Sequence, residues 1–182
     1  MKDNERENPI REFFALVVHE SLCTRAGLQE DEEVEAYIAE MLIAFLHQDH
    51  IFAIRNANGE KVESIAEMLV EGDVRLNADS FEREREVHKH IGDFLLFWSG
   101  LYPEFLRKLK SPGSKDLFVD FDEQGKYSYH VVSTFDHDPY SAEAPIFRKL
   151  SAEFEAYKYG LSLVRASFSG FAAQGWVNGF EA

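Results

Sequence analysis

The chain has 182 residues, of which 45% are hydrophobic and 14% aromatic, a composition that excludes intrinsic disorder for most of its length. It carries 33 acidic side chains against 19 lysines and arginines, which gives a formal net charge of −14. Because such a surface repels phosphate backbones and anionic lipids, we expect neither a nucleic-acid partner nor a membrane partner.

The sequence has a single cysteine, Cys23, so an internal disulfide and a Cys-x-x-Cys motif are both excluded. Its apolar neighbours favour a small buried hydrophobic residue over a reactive thiol. Apolar stretches such as 13–18 and 41–46 are much shorter than the roughly 20 residues of a membrane span. We therefore expect a soluble, cytoplasmic protein.

Apolar residues recur at three- and four-residue spacing along most of the chain, which predicts helices. The first predicted helix opens at Pro9 and stops at Gly27. The second begins in the acidic run 30–33, whose negative charge suits a helix N-terminus, and extends as far as Ile54. Because it is apolar on both sides, this second helix is expected to be central.

A turn at Asn58-Gly59 precedes a short third helix, which ends at Gly72. The fourth predicted helix is long, covering about residues 79–110. Pro103 interrupts its pattern, so we expect a kink or a break near residues 100–102. We expect helices two and four to be the most buried.

The fifth predicted helix covers about residues 116–135, although the alternation at 127–131 is also compatible with a strand. The sixth covers about residues 142–168. The glycine-rich, aromatic tail 169–182 shows no helical period. The sequence thus predicts an all-α single domain, a bundle of about six helices over residues 1–168, followed by an irregular tail.

The strongest candidate site lies on the fourth helix, where Glu86, His90 and Asp93 are spaced four and three residues apart. His90 falls within the apolar stripe, and both carboxylates lie at its edge. A buried imidazole between two carboxylates acts either as a metal ligand or general base, or as a core residue with a satisfied hydrogen bond. Either way, His90 should be mostly buried and within hydrogen-bond reach of a carboxylate or a carbonyl.

A second candidate pair is His47 and His50, three residues apart on the predicted second helix. Neighbouring histidines can share a divalent metal, although a third ligand is missing. Alternatively, histidines near a helix C-terminus stabilise the helix dipole without any further role.

Lys158 and Arg165, seven residues apart, project into the apolar stripe of the sixth helix. Two cations in such a position require anionic partners, and Glu86 or Asp93 would serve. We expect internal pairing. If no internal carboxylate meets them, the same two side chains form an anion-binding site.

Small and polar residues, Gln124, Gly125 and Ser128, interrupt the apolar face of the fifth helix. Such residues indicate either a close approach of two helices or the floor of a ligand pocket. Gln124 and Ser128 are therefore also candidate ligand-binding residues.

An acidic helical bundle with internal histidines and carboxylates resembles the haem-oxygenase-like and ferritin-like architectures. Their usual Glu-x-x-His ligand motif is absent, so the resemblance transfers no functional residue to this chain. The sequence favours a non-catalytic module that binds a protein partner or a small molecule. The alternative is a carboxylate–histidine metalloenzyme with a divalent metal, centred on Glu86, His90 and Asp93.

Overall fold

In the computed structural model, which describes residues 9–169, the regular structure consists of helices. The helices are α1 (Pro9–His19), a π-helix (Glu20–Arg25), α2 (Glu32–Ala44), α3 (Gln48–Ile51), α4 (Ile65–Gly72), α5 (Phe81–Leu101), α6 (Pro103–Leu109), α7 (Phe121–Ser133), α8 (Ala144–Ala152) and α9 (Phe154–Ser169). They pack around one hydrophobic core. The predicted all-α, single-domain bundle is confirmed.

α5 forms the centre of the bundle and corresponds to most of the predicted fourth helix. Its N-terminus is capped by Ser80, whose side chain accepts a hydrogen bond from the Arg83 amide. Of its 21 residues, 14 are buried, and it packs against α4, α7 and α9. α5 ends at Leu101, because Pro103 lacks the amide hydrogen that a continuous helix requires. The next helix, α6, starts at Pro103. The predicted break is confirmed.

Two glycines mark close approaches between helices, Gly92 where α5 meets α7 and Gly125 where α7 meets α9. A Cβ atom on Gly92 would lie 2.6 Å from the Tyr129 ring, and one on Gly125 would lie 2.5 Å from the Phe154 ring. Both rings belong to fully buried residues, so they have little room to move. The small residues of the predicted fifth helix therefore permit close packing, and that segment is a helix rather than a strand.

The second predicted helix is shorter than expected. α2 ends at Ala44, the backbone at His47 is extended, and the separate short helix α3 follows. The apolar residues Phe45, Ile51 and Ile54 are still buried, but they reach the core from a turn, from α3 and from the segment after it. α2 buries five of its 13 residues, whereas α7 buries six of 13. The expectation that the second and fourth predicted helices are the two most buried is therefore wrong for the second, which corresponds to α2.

Two other boundaries differ from the prediction. The predicted sixth helix is divided at Glu153 into α8 and α9. α7 starts at Phe121, five residues later than the predicted start at Asp116. Asp116 instead lies before the helix, almost completely buried, and accepts hydrogen bonds from the amides of Ile65 and Ala66 at the start of α4. A carboxylate there satisfies helix amides that have no other partner.

Among residues 9–169, no helix combines the length and the apolar character that crossing a bilayer requires. Apart from Ser169, which is the last described residue of α9, the predicted irregular tail 169–182 lies outside the described residues.

Candidate functional site

A cavity of about 420 Å³ opens between α2, the segment around α3, and α5. The cavity forms where α2 packs mainly on α1 and α8 and reaches α5 through long side chains. Its walls combine buried apolar groups with carboxylate, imidazole, phenol and ammonium groups. They consist of Tyr37, Glu40, Met41, Ala44, Phe45, His50, Ala53, Ile54, Glu86, Lys89, His90 and Asp93.

Asp93 is a buried polar residue of the cavity wall and is 6% exposed. Its Oδ1 accepts hydrogen bonds from the hydroxyls of Tyr37 on α2, at 2.5 Å, and of Tyr129 on α7, at 2.9 Å. Its Oδ2 accepts one from the Lys89 ammonium at 3.2 Å, one helical turn earlier on α5. Asp93 therefore joins three helices through a buried and fully hydrogen-bonded carboxylate.

Burial raises the pKa of both tyrosines well above the ordinary value, and the negative charge of Asp93 raises it further. Both hydroxyls thus remain protonated and act as hydrogen-bond donors to Asp93. The Lys89 ammonium also lies over the Tyr37 ring, 4.9 Å from its centroid. These contacts fix the orientation of the Asp93 carboxylate at the cavity.

His90 differs from Asp93, although it lines the same cavity. It is 9% exposed, and its buried Nε2 has no hydrogen-bond partner among the described residues. The ring lies near the rings of Phe45 and Phe94, at centroid distances of 6.1 and 6.2 Å. The predicted burial is confirmed, and so is the predicted reach of a carbonyl, because the backbone carbonyl of Ile51 acts on the ring as a hydrogen-bond partner.

Burial is also the main influence on the titration of His90, and it lowers the pKa of the ring. Asp93, the nearby Ile51 carbonyl and Glu86 act in the opposite direction, whereas Lys89 adds to the lowering. At neutral pH the ring is therefore uncharged and offers one nitrogen donor and one nitrogen acceptor.

The cavity brings together four of the five predicted metal ligands, since Glu86, His90, Asp93 and His50 all line it. His47 is exposed and is not part of its walls, although its ring lies 6.1 Å from that of His50. The Glu86 side chain is 68% exposed and pairs with Arg83 on α5 at 3.0 Å.

The donor atoms of Glu86, His90 and Asp93 do not converge in the way that a metal site requires. Within residues 9–169, one group of three donor atoms lies within 4.8 Å of one another, and it belongs to His19, Cys23 and Glu35. Metal binding at Glu86, His90 and Asp93 therefore stays a prediction.

Lys158 and Arg165 both pair with carboxylates of neighbouring helices, as expected, and both pairs lie near the surface of the bundle. Lys158 contacts Asp122 of α7, and Arg165 forms a two-pronged ion pair with Glu104 of α6, at 3.0 and 3.1 Å. The prediction that Glu86 or Asp93 would be their partner is wrong. Asp93 faces α2 and α7, and Glu86 lies at the cavity. These internal pairs disfavour an anion-binding site.

Gln124 and Ser128 lie outside the cavity, in a buried contact between α7 and α5. The Gln124 side-chain amide donates to the Ser128 hydroxyl at 3.1 Å, and His88 Nδ1 lies 3.2 Å from the same oxygen. Burial lowers the pKa of His88. The side chains of Gln124 and Ser128, which were candidate ligand-binding residues, thus hydrogen-bond to each other within the packed contact between helices.

Sequence reasoning did not identify Tyr37, Lys89 and Tyr129 as site residues. The four-residue spacing of Lys89 and Asp93 was a visible signal. Tyr37 and Tyr129 occupy positions that fit an apolar helical pattern, although a buried phenol hydroxyl normally requires a polar partner.

Comparison with known proteins gives no match for this chain: no family model fits it, and neither the curated proteins nor the solved structures include a significant relative.

Proposed function

We propose that this protein binds a small organic cation, consisting of an apolar body and an amino group, in the cavity between α2 and α5. The proposal rests mainly on His90, which lines the cavity, is 9% exposed and has an Nε2 atom without a hydrogen-bond partner among residues 9–169. Native proteins rarely leave a buried polar atom without a hydrogen bond. A ligand in the cavity would supply the partner that the described chain does not.

The charges around the cavity favour a cation. Three carboxylates, those of Glu40, Glu86 and Asp93, line it together with a single ammonium group, that of Lys89. Arg11 and Arg83 pair with Glu40 and Glu86, but those two carboxylate side chains are 52% and 68% exposed. Exposed ion pairs are weak, so they leave both carboxylates able to meet a ligand ammonium.

The remaining walls suit an apolar body. Met41, Phe45 and Ile54 are buried core residues that also face the cavity. The volume of 420 Å³ lies in the range of about 300–1,000 Å³ that small-molecule sites occupy. A concave site of this size fits a small molecule better than a protein surface.

The cytoplasm is the compartment that we propose for this activity. The thiol of Cys23 is free and donates a hydrogen bond to Glu35, an arrangement suited to a reducing environment.

The test uses benzylamine and its uncharged analogue benzyl alcohol, titrated into the protein and followed by amide chemical shifts. We expect benzylamine to bind roughly tenfold more tightly, because a charge-assisted hydrogen bond contributes about 1.5–3 kcal/mol. Glu86→Gln should remove much of this preference. Glu82→Gln removes an exposed carboxylate from the first turn of the same helix, outside the cavity, and should leave the preference unchanged.

His90→Leu completes the test, since it removes the unpartnered nitrogen and keeps an apolar side chain of similar size. Both probes should bind this variant more weakly than the wild type. The proposal is overturned if neither probe shifts the signals of cavity residues, or if Glu86→Gln and Glu82→Gln have equal effects.

The metalloenzyme alternative draws support from the same cavity, because four of its predicted ligands line it. Metal analysis of protein purified without an affinity tag, repeated on His90→Leu, tests this alternative. Bound metal that disappears in the variant would favour it over cation binding.

A further inference from the structure

His19, Cys23 and Glu35 form a second polar cluster, at the end of the bundle where α1 passes into the π-helix. His19 ends α1, Cys23 lies in the π-helix four residues later, and Glu35 lies in the first turns of α2. His19 Nδ1 is 2.8 Å from Glu35 Oε2, and Cys23 Sγ donates a hydrogen bond to Glu35 Oε1 at 3.2 Å. Short π-helical segments frequently occur at functional sites.

The three side chains supply the nitrogen, sulfur and oxygen donors that zinc-class metal ions prefer. Their donor atoms all lie within 4.8 Å of one another. In a tetrahedral zinc site, bonds of about 2.0–2.3 Å place ligand atoms roughly 3.3–3.8 Å apart. The contacts of 2.8 and 3.2 Å are shorter than this separation and the 4.8 Å limit is longer, so an ion fits between the donors after adjustments of about 1 Å or less.

The Glu35 carboxylate is already held in position. Its Oε1 accepts a hydrogen bond from the backbone amide of Asp31 at 3.0 Å, and its side chain is 12% exposed. In metal sites, contacts of this kind orient the ligating carboxylate. The His19 side chain is 46% exposed, so an ion has a path from solvent and a position open to water.

From this geometry we propose that His19, Cys23 and Glu35 bind a divalent transition-metal ion of the zinc class, with water as the fourth ligand. Binding replaces two hydrogen bonds with metal–nitrogen, metal–sulfur and metal–oxygen bonds. The thiol proton of Cys23 leaves to solvent, and the metal binds the resulting thiolate. No electron is transferred.

The same contacts also admit a purely structural role, since Asp31 and Glu35 lie at the N-terminus of α2, where side-chain acceptors satisfy free amides. The experiment must therefore detect metal coordination itself. Cobalt(II) is a suitable probe, because cobalt bound to a thiolate gives a charge-transfer band. Cys23 is the single cysteine of the chain, so that band reports on this site alone.

We expect a cobalt(II) titration of the reduced wild-type protein to give the band with one ion per chain, and zinc(II) to displace the cobalt. Cys23→Ser should abolish the band. His19→Gln should weaken binding by roughly tenfold or more. His47→Gln removes an exposed histidine outside the cluster and should bind cobalt as the wild type does.

A second measurement covers the case in which a variant disturbs the fold. Zinc(II) should raise the melting temperature of the wild type but not that of Cys23→Ser, with circular dichroism confirming that the variant is helical. The proposal is overturned if the wild type gives no thiolate band, or if His19→Gln binds cobalt as tightly as His47→Gln.

Discussion

The two sides of α5 differ in how they accommodate polar groups. Toward α7, the helices approach closely at Gly92, and the polar atoms of Ser128 and Tyr129 are hydrogen-bonded. Toward α2, the space is open, and His90 Nε2 is buried with no hydrogen-bond partner in the part of the chain that the structure describes. One helix thus carries a tightly packed face and an open face that lines the cavity, where we propose that a ligand binds.

Asp93 lies at the boundary between these faces, because it accepts one hydroxyl from each side. Tyr129 approaches it from the packed side, and Tyr37 approaches it from the cavity. The difference between Asp93 and His90 indicates that burial alone does not mark a binding residue. The distinguishing feature is whether the chain itself satisfies the buried polar atom.

The largest effect on stability is expected for Asp93→Ala, which affects both faces at once. It leaves two buried hydroxyls and the Lys89 ammonium without their acceptor. We expect the free energy of unfolding to fall by about 2–5 kcal/mol. Urea denaturation measures it, and Tyr129→Phe is the control, with an expected loss of about 1 kcal/mol. Equal losses in the two variants would show that Asp93 does not connect the faces.

Gly92→Ala tests the packed face. The added Cβ meets the Tyr129 ring at 2.6 Å, so we expect a loss of about 1–3 kcal/mol despite the higher helix propensity of alanine. In a Tyr129→Leu background the ring is gone, and the same substitution should be close to neutral. A double-mutant cycle by urea denaturation measures this coupling. Identical losses in both backgrounds would contradict close packing at this position.

His90→Leu tests the open face through its pH dependence. Burial lowers the pKa of His90 in the folded state, whereas the unfolded chain binds a proton near pH 6.5. The stability contribution of the neutral ring is complete above about pH 6.5 and is lost as the pH falls toward the folded-state pKa, with a slope of at most about 1.4 kcal/mol per pH unit.

The groups that face His90 are Asp93, Glu86 and Lys89, and burial outweighs their combined effect on the ring. His90→Leu should therefore show a shallower decline in stability between about pH 7.5 and 5.5 than the wild type, whereas the exposed-site control His47→Gln should not. Thermal unfolding across this range measures it. A slope unchanged by His90→Leu would mean that the ring is not buried in its neutral form.

The sequence predicts most helices because periodicity and Pro or Gly positions are local signals, as at the break before Pro103. The ends of α2 at Ala44 and of α8 at Ala152 were not predictable in this way. Neither boundary carries a glycine or a proline, and each depends on tertiary packing of residues such as Phe45 and Phe154.

For the candidate site, too, local features were predictable from the sequence and contacts between helices were not. The placement of Glu86, His90 and Asp93 on one cavity follows from spacing on a single helix. The hydroxyls of Tyr37 and Tyr129 reach Asp93 from two other helices, 56 and 36 residues away in sequence. Periodicity assigns a face to each helix but does not say which helices meet, so these contacts and the open space between α2 and α5 required the structure.

The smallest effect is expected at the rim of the open face. The Glu86 side chain is 68% exposed and pairs with Arg83 three residues earlier, an arrangement that contributes at most about 0.5 kcal/mol. Glu86→Gln should therefore leave the urea midpoint nearly unchanged while it weakens binding of the benzylamine probe. We expect binding to change without a change in stability, because a residue at the rim of the cavity is not needed for folding. A loss of stability as large as that of Gly92→Ala would place Glu86 with the packed face and remove the basis for assigning it to ligand binding.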